Sequence, residues 1–552
     1  MTEVASDVTG HRAMGNTAGD GGGTEHANRL FLGCFASMFA TSFAFIVRAM
    51  LITEWGQRFG LTEAQKGAIF PGAALFPFAI SIVLFSLFID NVGYGKTMVF
   101  AFLGHVIGTV VTMLAVTTTD SNTAYQYLYF GTFITALANG AVEAVINPVT
   151  ATIYPRNKTH YLNILHAGWP GGLVLAGILS IFLVGKVSWI WVIALVFIPT
   201  VIYGIMLFGR KFPVQERVAA GVSYADMMRE FGAAGAFLLA WFLTMAALTV
   251  ASVFVPADAQ ASSTWIQANN WAPPIVAILT AIVFFAMYKS FGRPMFVFLL
   301  LVMILLATTE LGTDGWITDL LRPTFGNNAG WILVYTSLIM FVMRFFAGPI
   351  VHRINPLGLL CVCAAIAVVG LYVIGSSGGN GWLLFAAASL YGVGKSFFWP
   401  TTLGVVSEQF PRGGALTLNA MGGMGMIAVG VLGGDVLGTL VDKRVDYNLQ
   451  QQAPAIHQVV SKPTETTKYG MRYQDLDQAK LALLPDTQKA EVEAIRGDTK
   501  QTTLRIVAIL PAIMFVCYVG LIIYFRSRGG YRVQHLEMSG EKAAGGVEGA
   551  VR

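Results

Sequence analysis

Long apolar runs separated by short polar breaks dominate the chain from residue 31 onward. Six lie near 31–52, 67–89, 97–117, 125–153, 162–185 and 187–209, and two more near 233–256 and 272–291. The last six fall near 295–321, 329–351, 359–377, 381–409, 414–440 and 504–525. A helix of ~20 residues crosses a hydrocarbon core of ~30 Å, so each run is a candidate span once tilt is allowed for. Lipid cannot satisfy open backbone groups, which makes helices the prediction throughout. Period-2 alternation, the mark of a β-barrel, is missing. The expected fold class is an all-α polytopic membrane protein with about fourteen transmembrane helices.

Composition agrees. Of 552 residues, 55% are hydrophobic and 12% charged, with a mean hydropathy of +0.64. A soluble chain normally carries roughly twice that charged fraction. The net charge of +5 is mild and sits on loops, so it reports topology and excludes nucleic acid as a partner. Cys34, Cys361, Cys363 and Cys517 all fall inside apolar runs, with no metal spacing. Met1 to Asn28 reads as a polar tail, and no cleavable signal is expected.

Lysines and arginines of short loops set the orientation. With the amino terminus inside, Lys96, Arg156, Lys158, Arg210, Lys211, Arg217, Arg229, Lys289, Arg293, Arg353 and Arg412 fall on inner loops. Both termini are then cytoplasmic, in a multi-pass plasma (inner) membrane. The expected organisation is a tail (1–28), a six-helix half (29–209), a cytoplasmic linker (210–232), a two-helix insert (233–292) and a second six-helix half (293–526). A second tail (527–552) closes the chain. The charged segment 442–502 reads as an outer cap or loop, with short amphipathic helices in "YQDLDQAKLALLPDTQKAEVEAI".

An internal repeat underlies this division. "NGAVEAVINP" (Asn139 to Pro148) and "YGVGKSFFWP" (Tyr391 to Pro400) each place a glycine three residues before a charge and a proline five after it. The charges, Glu143 and Lys395, have opposite sign. "IYPR" then follows the first stretch and "FPR" the second, each leading into a glycine-rich run. Two related six-helix units are how transporter halves look in sequence.

"SLFIDNVGYGK" resembles the loop after helix two of the major facilitator superfamily, with Ser86, Asp90, Gly93 and Lys96 on the recurring positions. Ser86 replaces the usual glycine and Asn91 the usual arginine. "ALANGAVEAVINPVTATIYPRNKTHYLNILHAGWPGG" and "ELGTDGWI" are similar to the fucose/hexose:proton symporter branch. The central pair resembles the fourteen-helix arrangement of peptide and drug transporters. The resemblance implies a two-half bundle of six, two and six helices, with Asp90 at an inner gate that stabilises the outward-open state.

A charge at mid-membrane costs at least ~2.5–3.5 kcal/mol, so it normally faces a cavity or a partner. Asn139, Glu143 and Asn147 are four apart and share one helix face; Tyr391, Lys395 and Trp399 repeat that stripe. The two stripes are expected to face each other across a central cavity, with Glu143 and Lys395 on opposite walls. The competing reading makes Glu143 a fixed helix lock and Lys395 its fixed counter-ion. Glu310 is the deeper member of a pair with Asp314, which reads equally as an outer-surface carboxylate. Arg48 is either a cavity cation or a side chain that snorkels outward, and Arg344 a cavity cation, an inner gate partner alongside Arg353, or a plain helix clamp. His166, Trp169 and Asn419 complete the candidate cavity, His166 as proton relay or packing residue and the tryptophans as stacking faces for a sugar ring or ordinary packing residues.

No nucleotide loop, metal cluster or Ser/His/Asp arrangement is visible, so neither a cofactor nor an enzyme is expected. The expected function is secondary active transport of a small polar solute, a sugar, by proton symport with alternating access in a monomer. Proton-coupled transport of an organic anion, sugar acid or peptide is the alternative, and a non-transporting sensor the remote one.

Overall fold

The apolar runs fold as helices wherever the computed structural model describes them: residues 20–252, 254–255, 259, 262–314, 329–378, 380–468 and 470–536. Most of the expected amino-terminal tail, the end of the 295–321 run and the last part of the carboxyl tail lie outside those residues. The first set of helices comprises α1 (Asp20–Phe59), α2 (Ala73–Val92), α3 (Tyr94–Met113), α4 (Ser121–Ile153), α5 (Lys158–Leu183) and α6 (Trp189–Leu207). The central pair is α7 (Tyr224–Ser252) and α8 (Ser263–Tyr288). After it come α9 (Pro294–Ala307, continued by a π turn over Thr308–Gly312), α10 (Ala329–Arg344), α11 (Ala347–Ile374), α12 (Gly381–Lys395) and α13 (Phe398–Gln409). The chain then runs through α14 (Gly414–Ala428), a wide π segment (Val429–Val436), α15 (Leu437–Gln452) and α16 (Pro454–Val460).

Among the described residues twelve helices are long and apolar enough to cross a membrane. Two of the expected runs fall short of that length. α10 is a shorter apolar helix, and the 381–409 run is broken between Lys395 and Phe398. The break has a local cause. Pro400 has no N–H to offer the carbonyl of Ser396, so the helix cannot continue evenly past Lys395.

α1 packs on α5 and α6, and α4 is clasped by α2 and α3. In the second set α11 packs on α12 and on the last helix, while α9 packs on α14. The two sets meet along α2–α14 and along α5 with α10 and α13. At the α5–α13 crossing a side chain on Gly404 would run into Thr159, so only glycine lets these backbones approach so closely. The central pair packs on itself and, through α7, on the flank of α14. A short backbone pairing ties its two ends: Ala233 N donates to Ser290 O at 3.0 Å and Arg293 N to Glu230 O at 3.1 Å. Gly232 and Gly292 make this possible with φ of 69° and 92°.

The 442–502 segment is an ordered cap. α16 leads into a hairpin of β1 (Ser461–Lys468) and β2 (Met471–Leu476), followed by α17 (Gln478–Leu483), α18 (Asp486–Val507) and the last apolar helix, α19 (Ile509–Ser527). Leu449, Ile456, Val460, Leu484, Val492 and Ile495 form a small core of its own. The amphipathic helices expected here are α17 and α18. The hairpin goes beyond that expectation, although Thr464, Thr466 and Thr467 followed by Gly470 (φ 74°) are a fair strand-and-turn signal.

Candidate functional site

Three prolines inside apolar runs create acceptors at mid-bundle. A proline leaves the carbonyl four residues earlier without its helical donor, and in a dry interior that carbonyl needs another. Pro148 frees Ala144 O, which accepts from Asn419 Nδ2 at 3.0 Å. Pro170 frees His166 O, and Pro400 frees Ser396 O. Arg344 takes both, through Nη1 at 2.5 Å and Nε at 2.7 Å. Two of these bonds, Asn419 to α4 and Arg344 to α5, join the second set of helices to the first.

Arg344 spends its remaining edge on a carboxylate. Nη2 donates to Glu310 Oε1 at 2.9 Å, and both side chains are buried. Glu310 sits in the π turn after α9, and its other oxygen accepts from Trp399 N at 3.1 Å. That N–H belongs to the first turn of α13, where amides lack helical partners and a negative charge is favoured. A single guanidinium thus links α5, the α9 turn and the α12–α13 break.

Glu143 lies across from this cluster. Asn147 Nδ2 donates to its Oε2 at 2.7 Å, and the same amide's Oδ1 meets His166 Nε2 at 2.8 Å. Since the amide oxygen can only accept, His166 carries its proton on Nε2 and leaves Nδ1 as an acceptor. Among the described residues nothing bonds the second oxygen of Glu143. Glu143, His166, Trp169, Glu310, Arg344 and Trp399 line one cavity, closed by Met38, Phe78, Leu311 and Met426. Its volume of about 30 Å³ holds a water or two and no larger solute. Among the described residues, none of its lining comes from α7 or α8.

One end of the bundle is sealed where the 210–223 segment crosses it. Asp90, at the end of α2, is ion-paired with Arg217 of that segment. Lys158 Nζ bonds Glu216 at 2.5 Å and Ser407 O at 3.3 Å, and Thr159 Oγ1 donates to Glu408 at 2.5 Å. The other oxygen of Glu408 accepts from Tyr531 of the carboxyl segment at 2.7 Å.

Residues 30–431, well over half the chain, match the family model of the Major Facilitator Superfamily. The chain belongs to that superfamily. Among solved structures, the proton:xylose symporter XylE bound to 6-bromo-6-deoxy-D-glucose superposes with a TM-score of 0.57 at 10% identity, covering 90% of this chain and 96% of that one. The E. coli fucose:proton symporter FucP gives 0.52 at 14% identity over 89% and 98%. The human organic anion transporter MFSD10 gives 0.52 at 13% over 89% and 99%. At such identities the likeness is one of fold. A search of curated proteins finds no match. The Major Facilitator protein is therefore a multi-pass secondary transporter of a small molecule and not an enzyme.

Several expected placements differ in this Major Facilitator bundle. Lys395 does not face Glu143 across the cavity; it is ion-paired with Asp314 and lies 5.4 Å over the Tyr391 ring. The break after Lys395 separates it from Trp399, so the expected Tyr391–Lys395–Trp399 stripe is divided between two helices. Tyr391 bonds Thr313 and the carbonyl of Thr309, outside the cavity. Asp314 is the partner of Lys395 rather than a surface group. Arg344 is a cavity residue and not part of the sealed end. Arg48 neither snorkels nor reaches the cavity: it is buried between α1, α3 and α4, donating to Ala44 O at 2.9 Å and Thr135 Oγ1 at 2.8 Å. Asn139 turns to His105, 2.8 Å away, which also meets Tyr203 at 2.9 Å. Asn419 holds a backbone carbonyl and does not line the cavity. Lys96 and Arg353 are exposed and form no ion pair among the described residues. Asp90 does find an arginine, Arg217 of the 210–223 segment. His105 is not singled out by the sequence; its only signal is a lone histidine in an apolar run.

Proposed function

We propose that the chain is a proton-coupled symporter of a small polar solute, a sugar first, working by alternating access between two six-helix halves. The single observation that carries this reading is Glu143: a carboxylate 6% exposed, held by one amide, with its other oxygen free at the cavity. A buried carboxyl group without a cation on it changes protonation state at lower cost than one that is ion-paired. Trp169 and Trp399 on the same cavity supply faces for a sugar ring. XylE and FucP, similar in fold, are by their descriptions proton symporters of xylose and fucose. α10 and the broken α12–α13 helix act as two further spans, giving fourteen in a six, two and six order. The sealed end faces the cytoplasm of a plasma membrane, with both termini on that side.

Counterflow in proteoliposomes tests the transport reading. Labelled hexoses should exchange against unlabelled ones and accumulate under an inward proton gradient. Failure of every hexose, with sugar acids or dipeptides exchanging instead, would overturn the sugar assignment. At the sealed end, Asp90→Asn should loosen the grip of Arg217 and raise the fraction of molecules open there. Cysteine accessibility at positions near Ser407 should increase several-fold, since the charge-assisted bond lost is worth about 1.5–3 kcal/mol. Unchanged accessibility would remove Asp90 from the gate.

A further inference from the structure

The charges around the cavity do not balance, and the imbalance has a direction. Glu143 and Glu310 set two carboxylates against the one guanidinium of Arg344. Arg344 is committed: each of its three nitrogens donates to a protein oxygen, at 2.5 to 2.9 Å. Lys395 is held by Asp314. Among the described lining residues an anionic solute would therefore meet no free cation, and it would meet an unpaired carboxylate. Among the described lining residues one oxygen of Glu143 and Nδ1 of His166 are left as acceptors, and Trp169 and Trp399 add two aromatic rings. Aromatic rings beside a buried carboxylate suit an organic ammonium. The remaining walls, Met38, Phe78, Leu311 and Met426, offer no side-chain oxygens to a small metal ion.

We propose that this cavity, closed here around a water-sized space and widened when the two halves part, takes amine-bearing polar solutes, of the aminated-hexose kind, with the ammonium seated on the free oxygen of Glu143. The proposal rests on the transporter reading and on Glu143 as its proton site, but not on neutral sugars being substrates. Its consequence follows from charge balance. A neutral solute moves with one proton on Glu143, and an ammonium solute moves with its own charge in that place. Each carries one positive charge per cycle, but only the first carries a proton. Ammonium and proton also compete for one oxygen, so acidification protonates Glu143 and weakens ammonium binding while sparing a neutral solute.

The test is calorimetric titration of the full-length protein in lipid nanodiscs with glucose, glucosamine, glucuronate and choline, whose charge does not titrate, at pH 5.5 and 6.5. Glucosamine should bind about tenfold more tightly than glucose at pH 6.5, a difference on the scale of one desolvated cation–π contact. Glucuronate should bind weakest. Going to pH 5.5 should weaken glucosamine and choline several-fold and leave glucose unchanged, and Glu143→Gln should erase both the preference and its pH dependence. In liposomes, glucosamine should drive current with no alkalinisation of the medium. Glucuronate binding as well as glucosamine, or a glucosamine preference that survives Glu143→Gln, overturns the proposal. Binding of choline and glucosamine with no binding of glucose upholds it and removes the neutral-sugar reading. Binding of glucose with neither ammonium probe does the reverse, and binding of none of them overturns both.

Discussion

Glu143→Gln should abolish concentrative uptake while leaving exchange of neutral substrate largely intact. The wild-type protein, moving one proton per solute, can concentrate substrate about tenfold for each pH unit of gradient. Glutamine fixes the site in a form that neither takes nor gives a proton, so that factor falls to one. The amide can still accept from Asn147, and the cavity keeps its shape, which is why exchange survives. The measurement compares proton-driven uptake with counterflow in the same proteoliposomes. A Glu143→Gln protein that still accumulates substrate in step with the proton gradient would sink the coupling assignment. A protein that fails to fold would point instead to a helix lock, and thermal unfolding of the purified variant distinguishes these outcomes.

Arg344→Met should be the most damaging single change near the cavity. It leaves Glu310 buried without its ion-pair partner and returns His166 O and Ser396 O to the unsatisfied state that Pro170 and Pro400 impose. Breaking a buried pair from one side costs about 3–5 kcal/mol, and the orphaned carbonyls add to it. A fall of many degrees in the unfolding midpoint and loss of all exchange are expected. Arg344→Lys keeps the charge but cannot reach three acceptors on separate helices, so the protein should fold and exchange at a small fraction of the wild-type rate. Pairing Arg344→Met with Glu310→Gln removes the stranded charge and should recover part of the stability without transport. An Arg344→Met protein that unfolds at the wild-type temperature would show that the bonds of Arg344 carry little.

The spans and the stripe on α4 are legible because apolar length and the 3.6-residue period are local properties. Asn139, Glu143 and Asn147 are all buried on that helix. What each charge meets is not legible, since partners depend on how neighbouring helices turn about their axes. Lys395 shows this: a break only a residue beyond it turns it toward Asp314. Yet a signal for Arg344 is present. Pro148, Pro170 and Pro400 each announce a carbonyl in search of a donor, and Arg344 and Asn419 are polar residues in apolar runs able to supply one. The repeat's shared proline, five residues after each charge, thus marks a docking point on the backbone. The cap's hairpin is harder to read because charge and amphipathic spacing dominate that segment.

The cap also has a mechanical meaning. α15, of 16 residues, and α18, of 22, carry the second half's helices on into it, and its core clamps the two together. At 1.5 Å per residue these are rigid rods of about 24 and 33 Å. A tilt of about 10° at the root of such a rod carries its tip through about 4 to 6 Å. The cap therefore behaves as the needle of a gauge, magnifying any rocking of the membrane-embedded helices into a displacement large enough to read. Exposed Leu483, at the end of α17 after the hairpin, is the position where a spin or fluorescent label would see that sweep against a fixed point on α3.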